Sequence, residues 1–516
     1  MTENLTDSIN KTNMSESDKT DLKIIGLYEE NGNLPEEQKI HLKRDIGLIS
    51  AINLILNLII GSGIFLTPGT VLSESGSIGM SLLVWFLSGI ISLMGALAFA
   101  ELSTVVPKSG GSYAYFQTAF KDLHPFLGPL PGFLFIWIMM IIVVPADLAV
   151  VALLFANYVY EPVRPSLSPE FHANNEVLVK NTIAAATLVA VGIINYVSVK
   201  LYLNTQNLIS FLKLSGCAFV IVGGIYMLIS GKALNINFGF EGTKTTPHSL
   251  AIVFYAGLYS YDGWSWVTGV TEEIKNPDKN IIRSILIGLL IVTLLFISMN
   301  VAYTTTLTVD EIISGSAVAV EFGDRVFGPG KIVVSIAVAL SALGAALSLI
   351  FYASRLGYVA AREGQMWEFI CFIHRRRLTP APAVILQVVL GLGYLFLGRG
   401  MDTLINFYMF LMWIFYGLTM ATVFVLRRRM PLANRPFKVP LVIPAVVIVL
   451  STALAVIPIF TQPPMQYIVC LLLTSLGVLF YYPFIYKRMK LPYLDDCQRV
   501  LQKWMDVIPA KEEPPL

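Results

Sequence analysis

Three ionisable residues stand deep inside apolar stretches. Asp147 follows Val143-Val144-Pro145-Ala146, Asp262 sits in Tyr259-Ser260-Tyr261-Asp262-Gly263-Trp264, and Lys213 lies in Ser210-Phe211-Leu212-Lys213-Leu214. A carboxylate at bilayer depth costs about 2.5–3.5 kcal/mol on insertion scales, so it faces a cavity or a partner. A guanidinium or ammonium on a bound molecule would offset that cost through a charge-assisted hydrogen bond. Two acids sharing one cavity repel unless a cation lies between them. Two bland alternatives stand beside this one. Asp262 could be a structural carboxylate bonded to nearby backbone or Ser/Tyr hydroxyls. Alternatively, one acid could hold a proton and make binding follow pH. Lys213 could likewise snorkel towards the membrane surface.

The backbone around these residues is unusual as well. Gly61-Ser62-Gly63-Ile64-Phe65 is followed by Pro68-Gly69, and glycine costs a helix about 1 kcal/mol relative to alanine. The small residues could serve close helix packing. They could instead mark an unwound stretch whose free N–H groups face a carboxylate. A second interruption is expected at Tyr259–Trp264, in the middle of another apolar segment. The two breaks fall in the first and sixth such segments, five apart, so the second enters the membrane in the opposite sense. An inverted pair of broken helices is the sequence pointer to a transport site at the bilayer midplane.

The elements that must carry these residues follow from composition. The chain has 516 residues, 55% apolar and 14% charged, with a mean hydropathy of +0.69. Soluble domains carry about 25% charged residues, so an ordinary cytosolic enzyme is excluded. A net charge of only +2 argues against a nucleic-acid binder. Cys217, Cys371, Cys470 and Cys497, like the five His, have no metal-ligand spacing, so no metal and no cofactor is expected. A helix needs roughly 20 apolar residues to cross the membrane. About twelve such segments are expected, near 46–68, 78–105, 126–156, 181–198, 205–230, 248–271, 282–306, 331–358, 380–398, 402–427, 440–460 and 466–487. The fold class is thus all-α and integral to the membrane. The first 45 residues are polar and acid-rich, and no cleaved signal is expected there. With the N-terminus cytoplasmic, 28 of the 36 basic residues fall on the inner side and seven on the outer, leaving Lys213 within the fifth span. An even number of spans then puts both termini in the cytoplasm.

From residue 45 onward the chain resembles the L-type amino-acid transporter family. These are the light subunits of heteromeric amino-acid exchangers in the amino acid–polyamine–organocation superfamily. The resemblance rests on Ile60-Gly61-Ser62-Gly63-Ile64-Phe65, Ala100-Glu101-Leu102, Pro107-Lys108-Ser109-Gly110-Gly111 and Val270-Thr271-Glu272-Glu273. It continues through Ser354-Arg355, Ala361-Arg362-Glu363-Gly364, Arg435-Pro436, Lys438-Val439-Pro440 and the tail Met505-Asp506-Val507-Ile508-Pro509. Tyr261-Asp262-Gly263-Trp264 looks most like the subtype that exchanges cationic amino acids and cystine for neutral ones. The resemblance implies a five-plus-five inverted repeat with discontinuous helices 1 and 6 and two extra helices. Its parts would be a disordered cytoplasmic tail (1–45), a first repeat (46–230), a second repeat (248–427), helices 11 and 12 (440–487) and a cytoplasmic C-terminal tail (488–516). It also implies sodium-independent exchange by alternating access, without enzymatic chemistry, most naturally at the plasma membrane.

By the same resemblance, Ser62, Gly63 and Ile64 would offer N–H groups to a substrate carboxylate. Carbonyls around Phe254, Gly257 and Tyr259 would receive the α-ammonium, with Tyr259 as an aromatic gate. Asp147 stands where the family usually has a small polar residue, and it adds negative charge where selectivity is set. A lysine at position 213 would hold the first and eighth spans together near the ion site of sodium-coupled relatives. Glu101, the turn at 108–111 and Arg355 would form an inner gate or structural turn, and Glu272-Glu273 could pair with Arg362. The family links to a single-span glycoprotein heavy chain through a Cys in the loop after the third span. Here Leu167 stands about there, so any heavy chain would be held without a disulfide. Asn57-Leu58 replaces the usual Gly-Thr, and Ser265 a commoner Asn. Cationic as well as neutral L-amino acids are the expected substrates. A neutral exchanger with pH-sensitive carboxylates, or a sensor that binds without transporting, are the alternatives.

Overall fold

The computed structural model describes residues 46–508 apart from 167, 236–238, 316, 398–400, 462–464 and 490–493. The expected N-terminal tail and Leu167 lie outside the described residues. Nine helices among the described residues are long and apolar enough to cross a membrane, and Ala381–Phe396 and Leu471–Tyr486 are shorter apolar helices. The broken sixth segment, Pro247–Ser260 followed by a 3-10 turn over Trp266–Glu273, completes the expected set. The only paired strands among the described residues are Ile373–His374 and Val507–Ile508, antiparallel.

Burial separates the inner spans from the outer ones. The most apolar window of the third span, Leu130–Tyr160, is 78% buried, whereas those of Asn174–Val197 and Val442–Phe460 are 28% buried. The third span packs on the eighth, Lys331–Arg362, and the seventh, Pro277–Thr306, on the first and second. The third span is not a uniform helix. It widens into a π-helical turn at Met139–Val143, just before Pro145. Proline lacks an N–H and crowds the carbonyl four residues back, and a π-bulge absorbs that conflict. Asp147 follows within the next turn.

The first span runs Leu48–Ile59, breaks, and resumes as Gly63–Leu66 and Pro68–Ser75. The interruption covers Ile60 to Ser62, where Ile60 leaves helical geometry (φ −78°, ψ 66°). The stretch Gly61–Phe65, which the sequence leaves open to unwinding, is thus only partly unwound, because Gly63 already starts the new helix. The second interruption is Tyr261–Ser265 rather than Tyr259–Trp264. Phe254, Gly257 and Tyr259 remain helical, since nothing in that run disturbs the ladder before Gly263, whose φ is +109°. Residues from 488 onward, expected as a plain tail, include a helix over Leu494–Met505.

Outside the membrane spans, the helix Val309–Ser314 is closed by a Thr308–Glu311 capping box. Arg325 grips Glu311 with both guanidinium nitrogens, at 2.5 and 2.9 Å. Those bonds hold the Glu311 carboxyl down at about 2, against an ordinary value of 4.5. A depressed carboxyl contributes stability above its ordinary value and loses it as pH falls towards the folded one. Amide-exchange protection over 309–314, corrected for the intrinsic exchange rate at each pH, is therefore expected to be unchanged from pH 7 to 5 and to fall as pH drops from about 4.5 towards 2.

Candidate functional site

Both breaks open onto one cavity. Ser62, Gly63, Asp147, Tyr259 and Asp262 line it, joined by Leu58, Trp266, Ala345 and Tyr408. The first span supplies Ser62 and Gly63, the third Asp147, and the sixth Tyr259 and Asp262. Ile64, Phe254 and Gly257 do not line it. Gly257 faces the second span instead, where a Cβ would stand 2.6 Å from Ser88 Oγ.

Glycine is required where the broken helices meet. A Cβ on Gly63 would lie 2.3 Å from Ser260 Cα, closer than any real contact. A hydroxyl bridge ties the same crossing, with Thr67 Oγ1 2.7 Å from Ser260 Oγ. Because Gly63–Leu66 is a fresh helix start, its first N–H groups have no acceptor within the helix.

The two carboxylates are held by phenols. Tyr259 Oη donates to Asp147 Oδ1 at 2.8 Å and lies 3.0 Å from Ser62 Oγ. Its ring therefore spans the cavity from the third span to the first. Tyr416 Oη donates to Asp262 Oδ1 at 2.5 Å, and Tyr408 Oη donates to Oδ2. Sequence reasoning missed both tyrosines of the tenth span. Their spacing of eight residues sets them on one face of a helix, and their hydroxyls are polar tips in an apolar run. That signal was available, but nothing in the sequence tied it to Asp262. The remaining cavity is about 30 Å³, room for one or two waters at about 10–15 Å³ each. Tyr259 and Tyr408, whose rings meet edge to face at 5.7 Å, must therefore move to admit anything larger.

Lys213, expected to hold the first and eighth spans together, bonds to the first alone among the described residues. Its Nζ donates to the carbonyls of Asn57 and Ile60, both at 2.9 Å. Ser341 of the eighth span donates to the carbonyls of Ile60 and Gly61, at 2.9 and 3.1 Å. Carbonyls freed by the break are thus satisfied from the fifth and eighth spans, and Lys213 is only 1% exposed rather than snorkelling. Lys213→Met would strip a donor from two buried carbonyls, each worth about 1–3 kcal/mol when left unsatisfied. The expected result is a lower Tm in detergent together with lost uptake, in sodium or in choline.

The inner gate expected from Glu101 and Arg355 is not assembled. Glu101 instead takes a two-point grip from Arg427, Nε–Oε1 at 2.8 Å and Nη2–Oε2 at 2.6 Å, and accepts the Val439 N–H at 2.7 Å. Arg435 stands 3.6 Å away. This buried carboxylate staples the second span to the end of the tenth. Arg355 lies over the Phe351 ring and donates to the Phe351 carbonyl at 3.3 Å. Nor does Glu272 pair with Arg362. Glu272 Oε1 accepts the Ser109 N–H at 2.8 Å, while Arg362 sits over the Tyr358 ring. The Glu273 side chain lies outside the described residues. The turn at 108–111 thus reaches the end of the sixth span by backbone bonds, Gly110 N–H to Gly269 C=O at 3.1 Å among them.

Residues 46–477 match the family described as amino acid permease. The chain belongs to the amino acid permease family. This permease is similar to the human b(0,+)-type amino acid transporter 1, with 38% identity over 483 residues, 93% of this chain and 96% of the relative. Similarity to the human cystine/glutamate transporter is 37% over 485 residues, 93% of each chain. The human large neutral amino acids transporter small subunit 2 is 36% identical over 425 residues, 82% of this chain and 77% of the relative. These relatives are amino-acid transporters, so the permease is a multi-pass membrane transporter and not an enzyme. Its candidate site is the cavity between the broken helices.

Proposed function

We propose that this permease is a sodium-independent amino-acid exchanger that works by alternating access and accepts cationic as well as neutral L-amino acids. The observation that carries the reading is two carboxylates, Asp147 and Asp262, lining one cavity beside the freshly started helix at Gly63. A zwitterion needs donors at its carboxylate and acceptors at its ammonium. The first-turn N–H groups around Ser62, Gly63 and Ile64 suit the former, and backbone acceptors near the sixth-span break suit the latter. The Tyr259 carbonyl already receives the Asp262 N–H at 3.1 Å, so it would share that bond with an ammonium. A guanidinium or second ammonium would then take Asp262 as Tyr408 and Tyr416 give way. Tyr259 would act as the gate, because its hydroxyl must leave Ser62 or Asp147 for the cavity to widen. Lys213 Nζ occupies the first-span break as donor to two carbonyls, which supports sodium independence.

A second reading has its own observation. Asp262 already has two phenol donors and Asp147 one, so both acids could be internal props of a neutral, pH-sensitive exchanger. The test is exchange in proteoliposomes preloaded with leucine, with labelled arginine or leucine outside and sodium present or absent. Trans-stimulated arginine entry without sodium is expected. Leucine entry with no arginine entry at any pH favours the second reading, and saturable binding without flux marks a sensor. The Lys/Arg asymmetry supports cytoplasmic termini and, with the family, a plasma-membrane location. A heavy-chain glycoprotein, if it joins, would be held without a disulfide.

A further inference from the structure

We propose that the C-terminal helix Leu494–Met505, with the arginine run 375–377 that it packs beside, is a docking site for the headgroups of anionic phospholipids in the adjoining leaflet. The inference is independent of the transport reading. One face of the helix turns inward through Gln498 and Met505, 8% and 6% exposed. Another leaves Val500 and Trp504, one turn apart, 67% and 80% exposed. Arg499 and Lys503 form an exposed ridge alongside them.

Beyond the helix the chain pairs with the loop before the ninth span, His374 opposite Val507, and the Arg375 N–H donates to the Asp506 carbonyl at 2.9 Å. This pairing sets the exposed Arg375, Arg376, Arg377 and Leu378 next to the helix end. The height of the cluster is fixed by the fourth span. The Arg377 guanidinium lies 4.7 Å from the Tyr196 ring, and Thr379 Oγ1 donates to the Tyr196 carbonyl at 2.9 Å. Tyr196 is in the last turn of Pro169–Val197. Tryptophan and basic side chains at the end of a span match the interfacial layer of a bilayer. Clusters of cationic residues there draw anionic lipid. An acidic soluble peptide would satisfy the arginines but leave Val500 and Trp504 in water, whereas lipid covers both.

The test uses the full chain in mixed micelles containing brominated phosphatidylcholine or brominated phosphatidylserine. The signal of Trp504 is taken as the difference between the wild type and Trp504→Tyr. Quenching by brominated lipid is expected, stronger for phosphatidylserine, with the preference falling about fivefold for each charge removed. Lys503→Gln should show one such step and R375Q/R376Q/R377Q three, leaving a much weaker preference for phosphatidylserine. If Trp504 is quenched by aqueous acrylamide but by neither lipid, or equally by both lipids in the wild type, the proposal is overturned.

Discussion

Replacing Asp262 by Asn is expected to lower arginine exchange by about ten- to a hundredfold, with leucine exchange changed by much less. The magnitude is that of one hydrogen bond to a charged group, about 1.5–3 kcal/mol. Asn has the shape of Asp and can still accept from Tyr416 or Tyr408, so the packing of the break should survive. Only the negative charge that a guanidinium or second ammonium would meet is removed. Leucine presents no such group and should notice little. Parallel uptake of the two labelled amino acids into preloaded vesicles reads the ratio directly. A common fall in both would mean that Asp262 is a structural carboxylate whose work is to hold the two tyrosines, and selectivity would then have to be sought at Asp147.

Gly63→Ala should abolish exchange of every substrate. The added methyl carbon would sit 2.3 Å from a backbone atom, Ser260 Cα, which cannot swing aside as a side-chain tip can. Overpacking costs typically about 1–3 kcal/mol, and here the strain falls on the crossing of the two broken helices. The same displacement would pull Thr67 from Ser260 and misplace the first-turn N–H groups beside the cavity. Correctly inserted protein with a reduced Tm and no flux of either arginine or leucine is the expected outcome. Full exchange by this variant would show that the crossing opens during the cycle, or is looser than the geometry here requires. Gly61→Ala is the gentler comparison, since its nearest neighbours would be the Ala345 methyl at 3.1 Å and the Leu58 carbonyl at 3.2 Å.

Much of the architecture was legible because lipid imposes a simple rule on sequence. A chain in hydrocarbon must satisfy its own backbone, so helices of a fixed length are nearly the only solution. Apolar runs of that length can be counted, and Gly61-Ser62-Gly63 and Asp262-Gly263 stand out as the places where the rule is broken. Asp147, Asp262 and Lys213 announced themselves by their desolvation cost alone. The resemblance had Lys213 joining the first and eighth spans, whereas its Nζ donates to the carbonyls of Asn57 and Ile60 in the first span.

Partnerships between distant side chains were not legible, because they depend on how helices rotate about their own axes. A turn of one helix by the angle between adjacent residues would swap Tyr408 for Phe407 and leave Asp262 unclamped. The same freedom hid the grip of Arg427 on Glu101, 326 residues apart in sequence, and sent Glu272 to the Ser109 backbone rather than to Arg362. The close approach of the breaks was also a matter of packing, since the helix start at Gly63 lies against Ser260 with no room for a Cβ. Thus the sequence by itself determined the membrane helices, the two interruptions and the charges buried with them. Tertiary structure alone decided which hydroxyls and guanidinia neutralise those charges, because contact across helices depends on rotation and close approach, which local sequence does not encode.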